Sequence, residues 1–90
     1  MASEKGFDLN IVTPVASAFE GEVVSVTLPG TEGQFQVLKD HAALLAGIDK
    51  GKVKLQLPDK TELSFLVSGG FFEVSNNRAT LLAESAEPMK

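Results

Sequence analysis

With 90 residues, the chain has room for one domain on one thin core, which leaves little space for a deep catalytic cavity. Eight scattered Lys and Arg residues against twelve Asp and Glu give a formal net charge of −4, which excludes a basic stripe for a nucleic-acid backbone or an anionic membrane surface. Cysteine is absent, excluding disulfides and thiolate chemistry, and no apolar run approaches the ~20 residues of a membrane-spanning helix.

Met1–Gly6 is polar and charged and carries no signal-peptide pattern. From there apolar residues alternate with period two, the mark of half-buried strands. Phe7, Leu9 and Ile11 alternate with Asp8 and Asn10, and the run stops at Pro14. Val24, Val26 and Leu28 alternate with Ser25 and Thr27 and end at Pro29-Gly30. Gly30-Thr31-Glu32-Gly33 reads as a loop with a carboxylate at its tip. Lys39–Leu45 is the one segment without a strand pattern, and Asp40 is placed to cap a short helical turn near residues 40–45.

Past Gly47 and Gly51, Val53, Leu55 and Leu57 alternate with Lys and Gln, and Leu63, Phe65 and Val67 follow after Pro58-Asp59-Lys60. A turn there sets Leu55 opposite Leu63 and Val53 opposite Phe65, which keeps one face apolar. A second turn at Asn76-Asn77 sets Val74 opposite Ala79 and Phe72 opposite Leu81, since Asn tolerates the positive φ of tight hairpins. Phe71 and Leu82 pair in the same hairpin on the opposite face, either as a second covered face or as an exposed apolar strip for a partner. From Glu84 the alternation stops and Pro88 intervenes, so residues 1–85 are expected to form the domain and 86–90 a flexible tail. The many short strands predict an all-β sandwich or barrel.

No catalytic constellation accompanies these strands. His41 is the only histidine, with no second His or Cys to complete a metal site. Ser68 in Val67-Ser68-Gly69-Gly70 lacks the glycine two residues before it that a nucleophile elbow requires. The Gly30–Gly33 loop has no helix behind it to hold a phosphate. The expectation is therefore no enzyme activity, no metal, no cofactor and no ATP site. Lys60 after Asp59 at a hairpin tip weakly resembles the modified lysine of lipoyl-type carriers, and an adaptor for an unrelated partner is a further alternative.

Taken together, the segments Leu9-Asn10-Ile11-Val12-Thr13-Pro14, Phe19-Glu20-Gly21-Glu22-Val23, Val26–Gly33, His41-Ala42-Ala43-Leu44-Leu45, Gly51-Lys52-Val53, Gly69–Val74 and Thr80–Glu84 resemble the N-terminal β-sandwich domain of F-type ATP synthase epsilon subunits. The resemblance spans nearly the whole chain. It implies a flattened ten-stranded sandwich in the central stalk, bound to the gamma subunit and seated on the c-ring loops, with no active site. It also implies a peripheral position on the cytoplasmic face of a bacterial inner membrane, no lipid insertion, and a monomer when isolated. Gly30, Thr31, Glu32, Gly33 and Gln34 are the expected c-ring contact; His41, Ala42, Ala43, Leu44, Leu45 and Phe71 are the expected gamma contact. Gln36, Lys39 and Ala43 stand where the family usually has Gly, Pro and Pro, and the two C-terminal helices typical of the family have no counterpart in these 90 residues.

Overall fold

A computed structural model describes residues 6–89. Ten strands follow one another: β1 (Phe7–Val12), β2 (Ser17–Val23), β3 (Ser25–Gly30), β4 (Gly33–Leu38), β5 (Leu44–Ile48), β6 (Gly51–Gln56), β7 (Glu62–Val67), β8 (Gly70–Ser75), β9 (Arg78–Ala83) and β10 (Ala86–Met89). Hydrogen bonding connects them in the order β10-β7-β6-β3-β5-β8-β9-β1-β2, with β4 on the remaining edge of β3. Every pairing is antiparallel except β1 with β9.

The path folds over at β3. Its second edge passes from β6, paired at Ser25–Thr27, to β5, paired through Gly30 and Ile48 alone. This corner makes two layers, and aromatic edges meet across them. Phe19 of β2 stands edge-on to Phe65 of β7 at 6.3 Å between ring centres, and Phe35 of β4 to Phe72 of β8 at 6.1 Å. Between the layers lie the fully buried Phe7, Leu9, Ile11, Val23, Val26, Leu28, Val37, Val53, Leu55, Val67, Phe72 and Leu81. These are largely the positions that the alternation turns inward.

Both expected hairpins have the expected register. Leu55 faces Leu63 and Val53 faces Phe65; Val74 faces Ala79 and Phe72 faces Leu81. Asn76 and Asn77 have φ of 52° and 61°, the pair of positive values that a two-residue hairpin turn matched to strand twist requires.

Two expectations are corrected. No helical turn forms at residues 40–45: Asp40 takes φ of 64°, residues 41–43 belong to no regular element, and Leu44–Ile48 becomes β5 along the edge of β8. An open strand edge supplies a ladder of backbone hydrogen bonds, which outweighs a weak local helix signal. The tail expected to be free from residue 86 is instead β10, which pairs Ala86–Met89 with the edge of β7 and packs Ala86 against the core. Pro88 lacks an N–H, and an edge strand is where a sheet tolerates that.

The two neighbouring phenylalanines give a direct test of the faces. Phe72 is 0 % exposed and Phe71 is 61 % exposed. Phe72→Ala should cost about 3–5 kcal/mol of folding free energy, and Phe71→Ala under about 1 kcal/mol. Denaturant midpoints measured on both variants decide this, and the reverse order would mean the faces are inverted.

Candidate functional site

The outer face of the β5–β8–β9–β1 layer carries an apolar row. Val12, Leu82 and Phe71 are direct neighbours across three strands, and Phe71 is paired next with Gly47, which has no side chain to cover it. Leu45 lies one step along β5, opposite Glu73 and diagonal to Phe71 at roughly 7–8 Å in paired-strand geometry. Leu45, Phe71 and Leu82 are 71 %, 61 % and 53 % exposed. A groove of about 450 Å³ runs beside this row, with Val12, Pro14, Gly70, Phe71 and Leu82 among its walls.

The row arises from four apolar doublets. Ile11-Val12, Leu44-Leu45, Phe71-Phe72 and Leu81-Leu82 each send one residue inward and one outward, because successive side chains leave a strand on opposite faces. Leu44 is the inward member of its pair. It faces the buried Val74 and packs on the core, so it does not share a surface with Leu45. Leu82 is the strand partner expected beside Phe71 in an exposed apolar strip, although it lies outside the expected gamma contact, and Val12 joins the row as a residue that neither expectation includes. Apolar doublets in strands that turn out to be neighbours are the signal that marks them.

His41, Ala42 and Ala43 are exposed in the link between β4 and β5. The His41 ring is turned back on its own main chain, with Nδ1 2.8 Å from the Ala42 carbonyl oxygen, to which the protonated nitrogen donates. That leaves His41 a short-range structural contact. Among the described residues no group of three or more His, Cys, Asp or Glu is placed to hold a metal ion.

The Gly30–Gln34 segment lies toward the other end of β5. Thr31 and Glu32 form a two-residue turn closed by the Gly30–Gly33 pair. The Thr31 N–H donates to the Gly47 carbonyl at 3.0 Å, which ties the turn to β5. Glu32 is exposed and has no ion-pair or hydrogen-bond partner among the described residues. A groove of about 480 Å³ joins this turn to Leu44–Gly47, so the two expected contact sets share a border along β5. Glycine is required at position 30, because a Cβ there would sit 2.7 Å from the Gly33 carbonyl oxygen and 2.8 Å from the Phe35 ring.

Lys60 sits in the turn between β6 and β7 with φ of 73°. The Asp59 carboxylate accepts a hydrogen bond from the Thr61 N–H at 2.9 Å, which holds its pKa below the ordinary 3.8. The tip is therefore a side-chain-capped turn.

A group whose pKa falls on folding adds stability above its unfolded pKa, and that contribution fades as pH drops through the folded value. Asp59→Asn keeps an acceptor for Thr61 and removes the titration. The melting-temperature difference between the wild-type chain and this variant should change only below about pH 4; a constant difference down to pH 2 would contradict the bond.

Comparison with known proteins points one way. The family described as "ATP synthase, Delta/Epsilon chain, beta-sandwich domain" matches residues 6–89. The chain is 57 % identical over 83 residues to an ATP synthase epsilon chain of Chlorobium limicola, covering 92 % of this chain and 94 % of that one. It is 55 % identical over 83 residues to an ATP synthase epsilon chain of Chlorobaculum tepidum, again covering 92 % and 94 %. A chain in the Euglena gracilis mitochondrial ATP synthase structure of OSCP, F1 and c-ring superimposes with a TM-score of 0.89 at 18 % identity, covering 98 % of this chain and 56 % of that one, a likeness of fold.

Proposed function

This chain belongs to the ATP synthase delta/epsilon chain β-sandwich family, and on that premise we propose that it is a non-catalytic rotor subunit of the central stalk, linking the gamma subunit to the membrane c-ring and coupling proton translocation to ATP synthesis. It works at the cytoplasmic face of a bacterial inner membrane as a peripheral part of the complex, and is a monomer when isolated. Among the described residues no helix is long and apolar enough to cross a membrane.

The observation that carries the docking half of this reading is the outward row Val12–Leu82–Phe71 with Leu45 beside it. Leu66, by contrast, is an exposed apolar side chain paired with Lys52 on one side and Glu87 on the other. The row gives a partner a desolvated centre, where most binding energy in an interface resides. The gamma contact is then His41, Ala42, Ala43, Leu45 and Phe71, extended by Leu82 and Val12, with Leu44 supporting it from the core.

The c-ring contact is Gly30, Thr31, Glu32, Gly33 and Gln34. Its carboxylate projects from a turn anchored to β5, which suits a charge-complementary contact that favours rate and orientation over affinity. Torque passes between the two contacts through β5 and the core behind it. A close-packed interior deforms little, so rotation of one contact is delivered to the other.

Leu45→Asp should weaken gamma binding at least a hundredfold, because an unpaired carboxylate in a dry interface costs several kcal/mol. Glu32→Lys should leave gamma binding within about twofold and impair proton pumping in reconstituted membranes. Pull-down of gamma by each variant, with pumping measured in parallel, tests both. Loss of gamma by Glu32→Lys together with retention by Leu45→Asp would reverse the surface assignment.

A further inference from the structure

The segment from Asp40 to Ala43 belongs to no strand, yet a long-range contact holds it to the body of the domain. The Asp40 N–H donates to Asn77 Oδ1 at 2.7 Å, and Asn77 Nδ2 donates to Asp40 Oδ1 at 3.0 Å, across 37 positions of sequence. Both ends of the Asn77 amide are used, which fixes its orientation: reversed, it would set N–H against N–H and oxygen against carboxylate.

Both residues have left-handed backbone, with φ of 64° at Asp40 and 61° at Asn77. Glycine is the residue that adopts this region without steric cost. These two positions hold an Asp and an Asn whose side chains bond each other. The anchor is firm, because Asn77 closes the β8–β9 hairpin and its carbonyl accepts from the Asp8 N–H of β1 at 3.0 Å. The segment's other ties are local: the His41 N–H reaches the Leu38 carbonyl at 3.3 Å, and the His41 ring reaches Ala42.

We propose that Asp40 and Asn77 are positioning residues, a two-point latch that sets where His41–Ala43 stand beside Leu45 and so shapes the gamma-binding surface. Neither needs to touch the partner. The latch fixes the start of the link and the β5–β8 ladder fixes its end at Leu44, so three exposed residues are held between two anchors. A link ordered before docking does not lose that freedom on binding. This role rests on the reading of His41–Leu45 and Phe71 as the partner surface.

The backbone conformation supplies mild variants. Asn77→Gly makes an Asn-Gly turn, the preferred sequence for this hairpin, and Asp40→Gly relieves the left-handed backbone, so both should fold. The double variant Asp40→Asn with Asn77→Asp exchanges amide and carboxylate at constant net charge and still pairs one donor side chain with one acceptor. Affinity for purified gamma subunit is measured for each, with amide hydrogen exchange at position 40 followed by NMR.

Each glycine variant should keep a near-wild-type melting midpoint and bind gamma roughly fivefold more weakly. Asn77→Gly removes the acceptor of the position-40 amide and should lose its exchange protection by about tenfold or more, whereas Asp40→Gly keeps that N–H bond to Asn77 Oδ1 and should lose less. The two glycine changes together should be no worse than either alone, and the exchanged pair should restore protection and affinity. A purely structural role would not produce that rescue. If the wild-type amide at position 40 exchanges as fast as in Asn77→Gly, there is no latch. If the glycine variants bind gamma normally while Leu45→Asp does not, positioning is overturned and the docking surface stands. If Leu45→Asp itself binds normally, the docking surface is overturned and the latch's part in it falls too.

Discussion

One corner determines how this sheet becomes a sandwich. At Gly30 the free edge of β3 leaves β6 and takes up β5 through the single Gly30–Ile48 pair. Two bonds flank that pair: Thr31 N–H to the Gly47 carbonyl at 3.0 Å, and Asp49 N–H to the Pro29 carbonyl at 2.8 Å. On the β4 side, the Gly33 carbonyl and the Phe35 ring leave no volume for a side chain at position 30. Since among the described residues β5 is the only link in the pairing path between the two layers, the placement of β8, β9, β1 and β2 over the core follows from this junction.

The same corner brings the two proposed contact regions together. The Thr31-Glu32 turn is bonded to β5 near Gly47, and Leu45 stands two residues earlier on that strand. A polar, charged tip and an apolar face therefore ride on one rigid element. That geometry suits the proposed role of passing rotation between a membrane ring and a shaft, since a hinge between the proposed contacts would absorb the motion to be delivered.

The apolar doublets show how far pattern reading reaches. Alternation correctly divides Phe72 from Phe71 and Leu81 from Leu82, because side-chain direction along a strand is a local property of the backbone. It does not separate Leu44 from Leu45, because Asp40–Leu45 has the pattern of a capped helical turn, where neighbouring residues do not fall on opposite faces of a sheet. Asp40 resembles a helix cap in isolation. Its actual partner is Asn77, and no window of sequence around residue 40 contains it. Strand β10 has a similar origin: Ala86-Glu87-Pro88-Met89 has no strand pattern, and it pairs because β7 offers an open edge.

By itself the sequence determined an all-β domain, the inward face of six of the ten strands, the register of two hairpins and the family to which the chain belongs. Each of these depends on residues close together along the chain or on the pattern of the whole. Tertiary structure alone decided which outward residues meet. Val12, Leu45, Phe71 and Leu82 become one surface only because β1, β5, β8 and β9 lie side by side, and Asp40 finds Asn77 only when the β4–β5 link folds against the β8–β9 hairpin. The physical reason is that burial is encoded one residue at a time in hydrophobicity, whereas adjacency between distant strands is a property of the folded chain.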